Sequence, residues 1–354
     1  MSIKSAEFDQ HFLWIQSTTK TIEKIVYKTI QMKKAIISVA LGMILMVNGA
    51  FVNAPVASEH PAELEGKIKI SGAFALYPLA VKWGDEFKKL HPKVSFDIQG
   101  GGAGKGMVDV LAGNVDLGMV SREITKEEAG KGALGFAVCK DAVVATMNAN
   151  NPYLSKIYET GITRQQFYEI WMGRSITTWG QLLKNGSKEK ISVYTRSDAA
   201  GAADSWAKYI GGATKKQDDL EGIGIFGDPG LAQAIASDKL GIGYNNVGYA
   251  YDFTTKKPIS GIAIVPIDLN ENGKLDPEEN FYSNADKLNM AVLSGKYPSP
   301  PARNLYFVSK GEVTDPVLKE FLKWVLTDGQ KYVAESGFVV LPKQTLEEQV
   351  AKIK

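Results

Sequence analysis

Three short stretches place small residues where a strand gives way to a helix. They are Ser71-Gly72-Ala73-Phe74-Ala75, Gly100-Gly101-Gly102-Ala103-Gly104-Lys105-Gly106 and Arg196-Ser197-Asp198-Ala199-Ala200-Gly201-Ala202. A helix N-terminus presents unpaired N–H groups and about half a positive charge. Small side chains let an anion approach that backbone closely. Arg196 can add a bidentate contact to an oxyanion, and Lys105 can add a point charge. In an open α/β sheet such turns gather at the carboxyl ends of the strands, where ligands bind. Three in one chain point to anion binding.

Other chemistries fit poorly. A nucleotide P-loop needs Gly, four residues, Gly-Lys and then Ser or Thr. Gln99 stands at the first position and Gly106 at the last, so the second turn fails at both ends. No acid follows at the spacing of a dinucleotide fingerprint. The only histidines are His11, His60 and His91, which offer neither a nucleophile–base pairing nor a histidine metal set. Cys139 is the only cysteine, which rules out an intrachain disulfide, and its apolar neighbours Phe136, Ala137 and Val138 suggest burial. No catalysis is expected.

A separate pattern suits a hard cation. Asp268, Asn270 and Asn272 fall at positions one, three and five of a twelve-residue calcium loop, with Gly273 at six. Lys274 would offer its carbonyl at seven, Asp276 follows at nine and Glu279 at twelve. A strand, not a helix, precedes the loop, so one structural Ca²⁺ is expected here rather than a regulatory switch.

Alternating strands and helices position these turns. Lys67–Ile70 reads as a strand, and Leu76, Leu79, Ala80, Trp83, Phe87 and Leu90 have helical spacing up to Pro92. Val94, Phe96 and Ile98 alternate as in a strand, and Val115–Val120 and Ile191–Tyr194 give further strands. Thr125/Glu128 and Thr163/Gln166 have capping-box spacing. Asp228-Pro229 and Asp315-Pro316 open helices. Gly241–Tyr244 and Ile262–Ile267 read as later strands. This order argues for βαβ units and a mainly parallel sheet. The expected fold is α/β, and the length suggests two folding units or one domain with an insertion.

Residues 1–54 read as a leader. Met32-Lys33-Lys34 and the apolar run Ala35–Val47 resemble an export signal, with cleavage after Ala50 or Ala54 and translation starting at Met32. The run is shorter than the ~20 residues that span a bilayer. The leader holds six lysines and three acids of totals of 41 basic and 39 acidic residues, leaving 35 against 36 beyond it. That balance gives no reason to expect a nucleic-acid partner.

At the three turns the chain resembles the periplasmic phosphate-binding proteins of ATP-driven importers, over about residues 66–345. Ser71–Pro78 is similar to the family's first phosphate loop, Asn114–Arg122 to its next strand and contact loop, and Thr195–Ala202 to its arginine loop. Tyr168–Met172, Trp179 and Gly241–Tyr244 match landmarks outside the site. The resemblance implies a two-lobed type II periplasmic binding protein, with residues 66–148 and 245–354 in one lobe, 149–244 in the other and two strands crossing between them. It implies a protein that is exported, monomeric and without enzymatic activity, and that hands phosphate to a membrane ABC permease. It implies anion contacts at Ser71, Ala75, Leu76, Ala103, Gly104, Lys105, Ser121, Arg122, Arg196, Asp198, Ala200, Gly201 and Ala202. The site departs from the family pattern. Hydroxyls that grip phosphate are replaced at Ala75 or Leu76, Ala103, Ala200 and Ala202, and Ser121 replaces the aspartate that accepts the phosphate proton. Each missing hydroxyl removes about 1 kcal/mol, and Lys105 is the expected compensation. The alternatives are another oxyanion (molybdate, tungstate or sulfate), a small carboxylate, or a calcium-stabilised scaffold or sensor with the same fold.

Overall fold

The computed structural model describes residues 63–354, so the leader lies outside the described residues. The first lobe opens with β1 (Gly66–Gly72), α1 (Tyr77–Leu90), β2 (Val94–Gly100), α2 (Ala103–Ala112), β3 (Leu117–Val120) and α3 (Lys126–Gly130). β4 (Ala133–Asn148) carries the chain across. The second lobe holds α4 (Leu154–Thr160), β5 (Ile162–Thr163), α5 (Arg164–Trp171), α6 (Trp179–Leu183), β6 (Ser192–Arg196), α7 (Gly201–Gly211), β7 (Ile223–Ile225) and α8 (Gly227–Ser237). It continues through β8 (Gly241–Asn246), β9 (Ile262–Ile264), β10 (Ile267–Asp268) and α9 (Ala285–Leu293). β11 (Ala302–Lys310) returns to the first lobe, which ends with α10 (Pro316–Leu326), α11 (Lys331–Glu335) and α12 (Lys343–Val350).

One ladder, β2-β1-β3-β11-β4-β8-β6-β7, runs through both lobes. Its flanks are parallel: β1 pairs with β2 and β3, and β6 with β7 and β8. The centre is antiparallel, because β4 and β11 are the crossing strands and run in opposite directions. The sheet is therefore mixed, with its parallel character confined to the units that present helices to the cleft. β4 pairs with β11 over its first part and with β8 and β9 over its last.

Two buried clusters lie on either side of this crossing. Trp83, Phe87, Phe136, Phe307 and Phe321 belong to the first, and Trp171, Trp179, Trp206, Tyr244, Tyr251 and Tyr297 to the second. The second cluster runs from Ala142 to Ala302 and takes in Val339 as well. Residues 245–302 thus pack with the second lobe, which corrects the boundary read near 245. Pairing of β9 with Thr146–Asn148 and burial of Leu288 and Val292 of α9 hold that stretch there. The chain recrosses at β11. Cys139 is buried in the first cluster, as its neighbours suggested.

Local chemistry explains the element ends. Thr125/Glu128 and Thr163/Gln166 form the reciprocal bonds their spacing predicts, and Asp315 accepts from Leu318 N–H at 2.8 Å. α1 buries Leu79, Ala80, Trp83 and Phe87 on one face. The strand expected over Ile262–Ile267 divides into β9 and β10, and β10 pairs separately with β5. Pro266 lies at the break; it has no N–H to donate to a ladder. The glycines of the second turn serve packing as well as anion approach. A Cβ on Gly106 would lie 2.6 Å from the Met119 carbonyl and 2.8 Å from Gly72 Cα. α2 therefore rests directly on the backbones of β1 and β3.

Candidate anion-binding site

Arg196 is the last residue of β6, and its side chain is 1% exposed. Nε and Nη2 donate to the two oxygens of Asp198 at 2.7 and 2.5 Å, and Nη1 donates to Asp228 Oδ2 at 2.6 Å. Asp228, in the first turn of α8, also accepts from Asn246 Nδ2 at 2.7 Å, and Asp198 accepts from the Gly227 N–H at 3.0 Å. Burial works against the charge on Arg196, but Asp228 and Asp198 outweigh it and hold the pKa above its ordinary value. Three of five guanidinium N–H groups are committed, leaving two for a ligand. The Arg196 N–H donates to Tyr244 Oη at 3.3 Å, and Tyr244 stacks on Trp206 at 5.7 Å. The arginine is thus built into the second core.

The two lobes meet around this residue. Gly104 N–H of α2 donates to the Ala199 carbonyl at 3.0 Å across the cleft. Gly201, the first residue of α7, lies against the hydroxyl and carbonyl of Ser121, so any larger residue there would strike the facing loop. Phe74 packs edge-on to Phe226 at 6.0 Å and lies 5.8 Å from the Arg196 guanidinium. Tyr249 Oη donates to the Phe74 carbonyl at 3.2 Å. Ala75, Leu76, Ala103, Ala200 and Ala202 are buried at this junction or in the first turns beside it. A space of ≈ 540 Å³ opens between the lobes, lined by Gly104, Arg122, Ser197, Ala200, Asp204 and Gln217.

Not every candidate is free for a ligand. Ser71 Oγ donates to Asp109 Oδ2 at 2.6 Å, and Lys105 Nζ pairs with the same oxygen. Burial opposes ionisation of Asp109, yet Lys105 and Ser71 hold its pKa below the usual value. The Lys105 side chain is 43% exposed, so its charge is spent at the surface on Asp109. Arg122 grips both Glu128 oxygens, at 2.9 and 2.7 Å, beside the opening. Gly104 and Ala200 spend their N–H groups on Ala199 and Gln217. Gly201 and Ala202, in the first turn of α7, have no intrahelical acceptor for theirs. Sequence reading missed Asp228 and Asn246, which lie 32 and 50 residues along the chain from Arg196. Asp228-Pro229 signalled only a helix start.

The acidic loop folds around its own amides. Asp268 accepts N–H bonds from Asn272 and Gly273 at 3.2 and 2.8 Å, and Glu279 Oε1 accepts from Leu269 and Asn270, both at 2.9 Å. Asn270 and Asn272 side chains donate to Asp276 at 2.8 and 2.7 Å, and Lys274 N–H donates to Asn272 Oδ1 at 2.9 Å. Among the described residues, no three His, Cys, Asp or Glu side chains gather as a metal-holding group.

Replacing Arg196 strands two buried carboxylates. Arg196→Met should lose about 3–5 kcal/mol of stability at pH 7.5 relative to the unsubstituted chain. Urea unfolding at that pH checks this; a deficit under about 1 kcal/mol contradicts the pairing.

Comparisons with known proteins bear on the fold and the family. The model of the PBP superfamily domain matches residues 57–329. The phosphate-binding protein PstS of Staphylococcus haemolyticus is 22% identical over 298 residues, covering 82% of this chain and 86% of the relative. A Clostridium perfringens structure, described as a phosphate ABC transporter substrate-binding protein with bound phosphate, aligns with a TM-score of 0.62 at 23% identity, covering 78% of this chain and 100% of that one. An ABC-type phosphate transport receptor from Vibrio cholerae aligns with a TM-score of 0.56 at 22% identity, with coverages of 78% and 100%. The expected two-lobed α/β fold is thus shared with these proteins, and the chain belongs to the PBP superfamily.

Proposed function

We propose that this protein captures inorganic phosphate outside the cytoplasm and delivers it, chemically unchanged, to an ABC importer. The observation that carries this reading is the junction around Arg196, where small-residue helix starts of both lobes meet over a buried, paired guanidinium. Closure about β4 and β11 would enclose the ligand, and opening would release it at the permease. The relatives named as phosphate-binding proteins support phosphate as the ligand. The alanines at 75, 103, 200 and 202 favour a second reading within the same class, in which a different oxyanion such as sulfate or molybdate is preferred. Calorimetric titration separates the two: phosphate should bind with micromolar or tighter affinity, and Lys105→Ala should change that by less than about threefold because Lys105 is held by Asp109. Tighter binding of sulfate or molybdate than of phosphate would select the second reading.

Export follows from the same reading. Cleavage of the leader should leave a mature start between Phe51 and Glu59, outside the described residues. Among the described residues no helix is long and apolar enough to cross a membrane. N-terminal sequencing that found Met32 retained, with the protein in the membrane pellet, would refute cleavage.

We also propose one Ca²⁺ in the Asp268–Glu279 loop, supported by the ligand spacing and by Gly273, whose φ of 79° makes the turn. Binding to the native state alone raises the melting temperature. Calcium should therefore raise it, and Asp268→Ala should abolish the rise. An unchanged melting temperature with chelator and with added calcium would leave the loop as an acidic turn.

A further inference from the structure

Arg303 and Asp141 face each other across β11 and β4 in ladder register. They occupy the gap between the two cores along these strands: the first core ends at Cys139 on β4 and resumes at Leu305 on β11, and the second starts at Ala142 on β4 and ends at Ala302 on β11. The pair therefore lies in the crossing strands, between the two cores. Their side chains are 6% and 2% exposed.

Arg303 is connected to the anion site. Its Nη2 donates to Asn246 Oδ1, Asn246 Nδ2 donates to Asp228 Oδ1, and Asp228 Oδ2 receives Arg196 Nη1. Arg196, Asp228 and Asp204 all act electrostatically on Arg303, and Asp204 lines the opening between the lobes. Yet Arg303 is incompletely paired. Asp141 Oδ2 lies 3.6 Å from Nη2, beyond a good hydrogen bond. Arg303 Nε and Nη1 and Asp141 Oδ2 have no partner among the described residues. Buried donors without acceptors are destabilising, and a guanidinium more so than a neutral group.

We propose that Arg303 is the second cation of the anion site and that its Nε–H and Nη1–H donate to the bound oxyanion. The inference rests on the oxyanion-binding reading of the cleft. The two arginines differ in how much of their charge is already answered. Arg196 faces two carboxylates in direct contact, whereas Arg303 has one, and that one makes no hydrogen bond to it. Burial moves Asp141 towards its neutral form, raising its pKa to about 7 against the pull of Arg303. Arg303 thus supplies the attraction that the sequence had suggested for Lys105. It also offsets the hydroxyls absent at Ala103, Ala200 and Ala202. A guanidinium only donates, so Arg303 strengthens binding of sulfate and phosphate alike and leaves discrimination between them to other groups.

The test titrates inorganic phosphate, and separately sulfate and molybdate, into the wild-type protein, Arg303→Gln and Asp141→Asn, with circular dichroism and melting temperature recorded for each. Arg303→Gln should bind the preferred anion at least about tenfold more weakly. Asp141→Asn should bind it at least as tightly as wild type, because it removes the counter-charge and keeps the donors. If Arg303→Gln does not fold, Arg303→Lys retains the charge but not the fork, and the same loss is expected. A folded Arg303 variant within about twofold of wild type overturns the proposal. So do parallel losses in the Arg303 and Asp141 variants, which would mean the pair acts only by holding the hinge. Failure of the wild-type protein to bind any of the three anions would instead remove the oxyanion reading itself.

Discussion

A guanidinium taken out of water must be paired, and the pairing of Arg196 arranges the cleft. Asp198 reaches it from two residues along the same loop, and Asp228 from the first turn of α8. Those two bonds fix the loop before α7 and the start of α8 relative to each other. Gly227 N–H on Asp198 and Asn246 on Asp228 extend the same network to the end of β8. An isolated buried arginine would be costly. Neutralised in this way, it offers direction rather than net charge, with two N–H groups left uncommitted.

That network stands on one side only, and closure supplies the other. The first lobe contributes backbone and small side chains at Phe74, Ala75, Gly102, Gly104 and Ser121. Gly102 and Gly104 lie against Ala199 and Ser121 against Gly201, which leaves no space there for larger residues. Helices α2 and α7 thus approach with their starts facing a common junction. Among the described residues, β4 and β11 are the ladder neighbours that join the two parallel flanks.

Much of this was legible in the sequence because it is local. Capping boxes, the spacing of Trp83 and Phe87, and glycine-rich turns each depend on residues within one helical turn of one another. Arg196 stood out for the same reason, beside Asp198 and small residues. What the sequence hid depends on distant partners. Asp228 reads as a helix start until β6 and α8 are adjacent. Lys105 is the exception: Asp109 lies one helical turn away, an i,i+4 pair that the spacing itself offers. Arg303 has no signal at all before β11 is paired with β4. The boundary near 245 was misplaced because a second crossing strand looks like any other, and only β11 proved to recross.

The central claim is that free backbone N–H groups from both lobes surround one anion beside Arg196. Amide chemical shifts measured by NMR during a phosphate titration test it most directly. The account predicts the largest shifts at Gly201 and Ala202 of the second lobe together with Phe74 and Ala75 of the first, saturating at one equivalent. Shifts confined to one lobe, or centred on the Asp268–Glu279 loop, would contradict it.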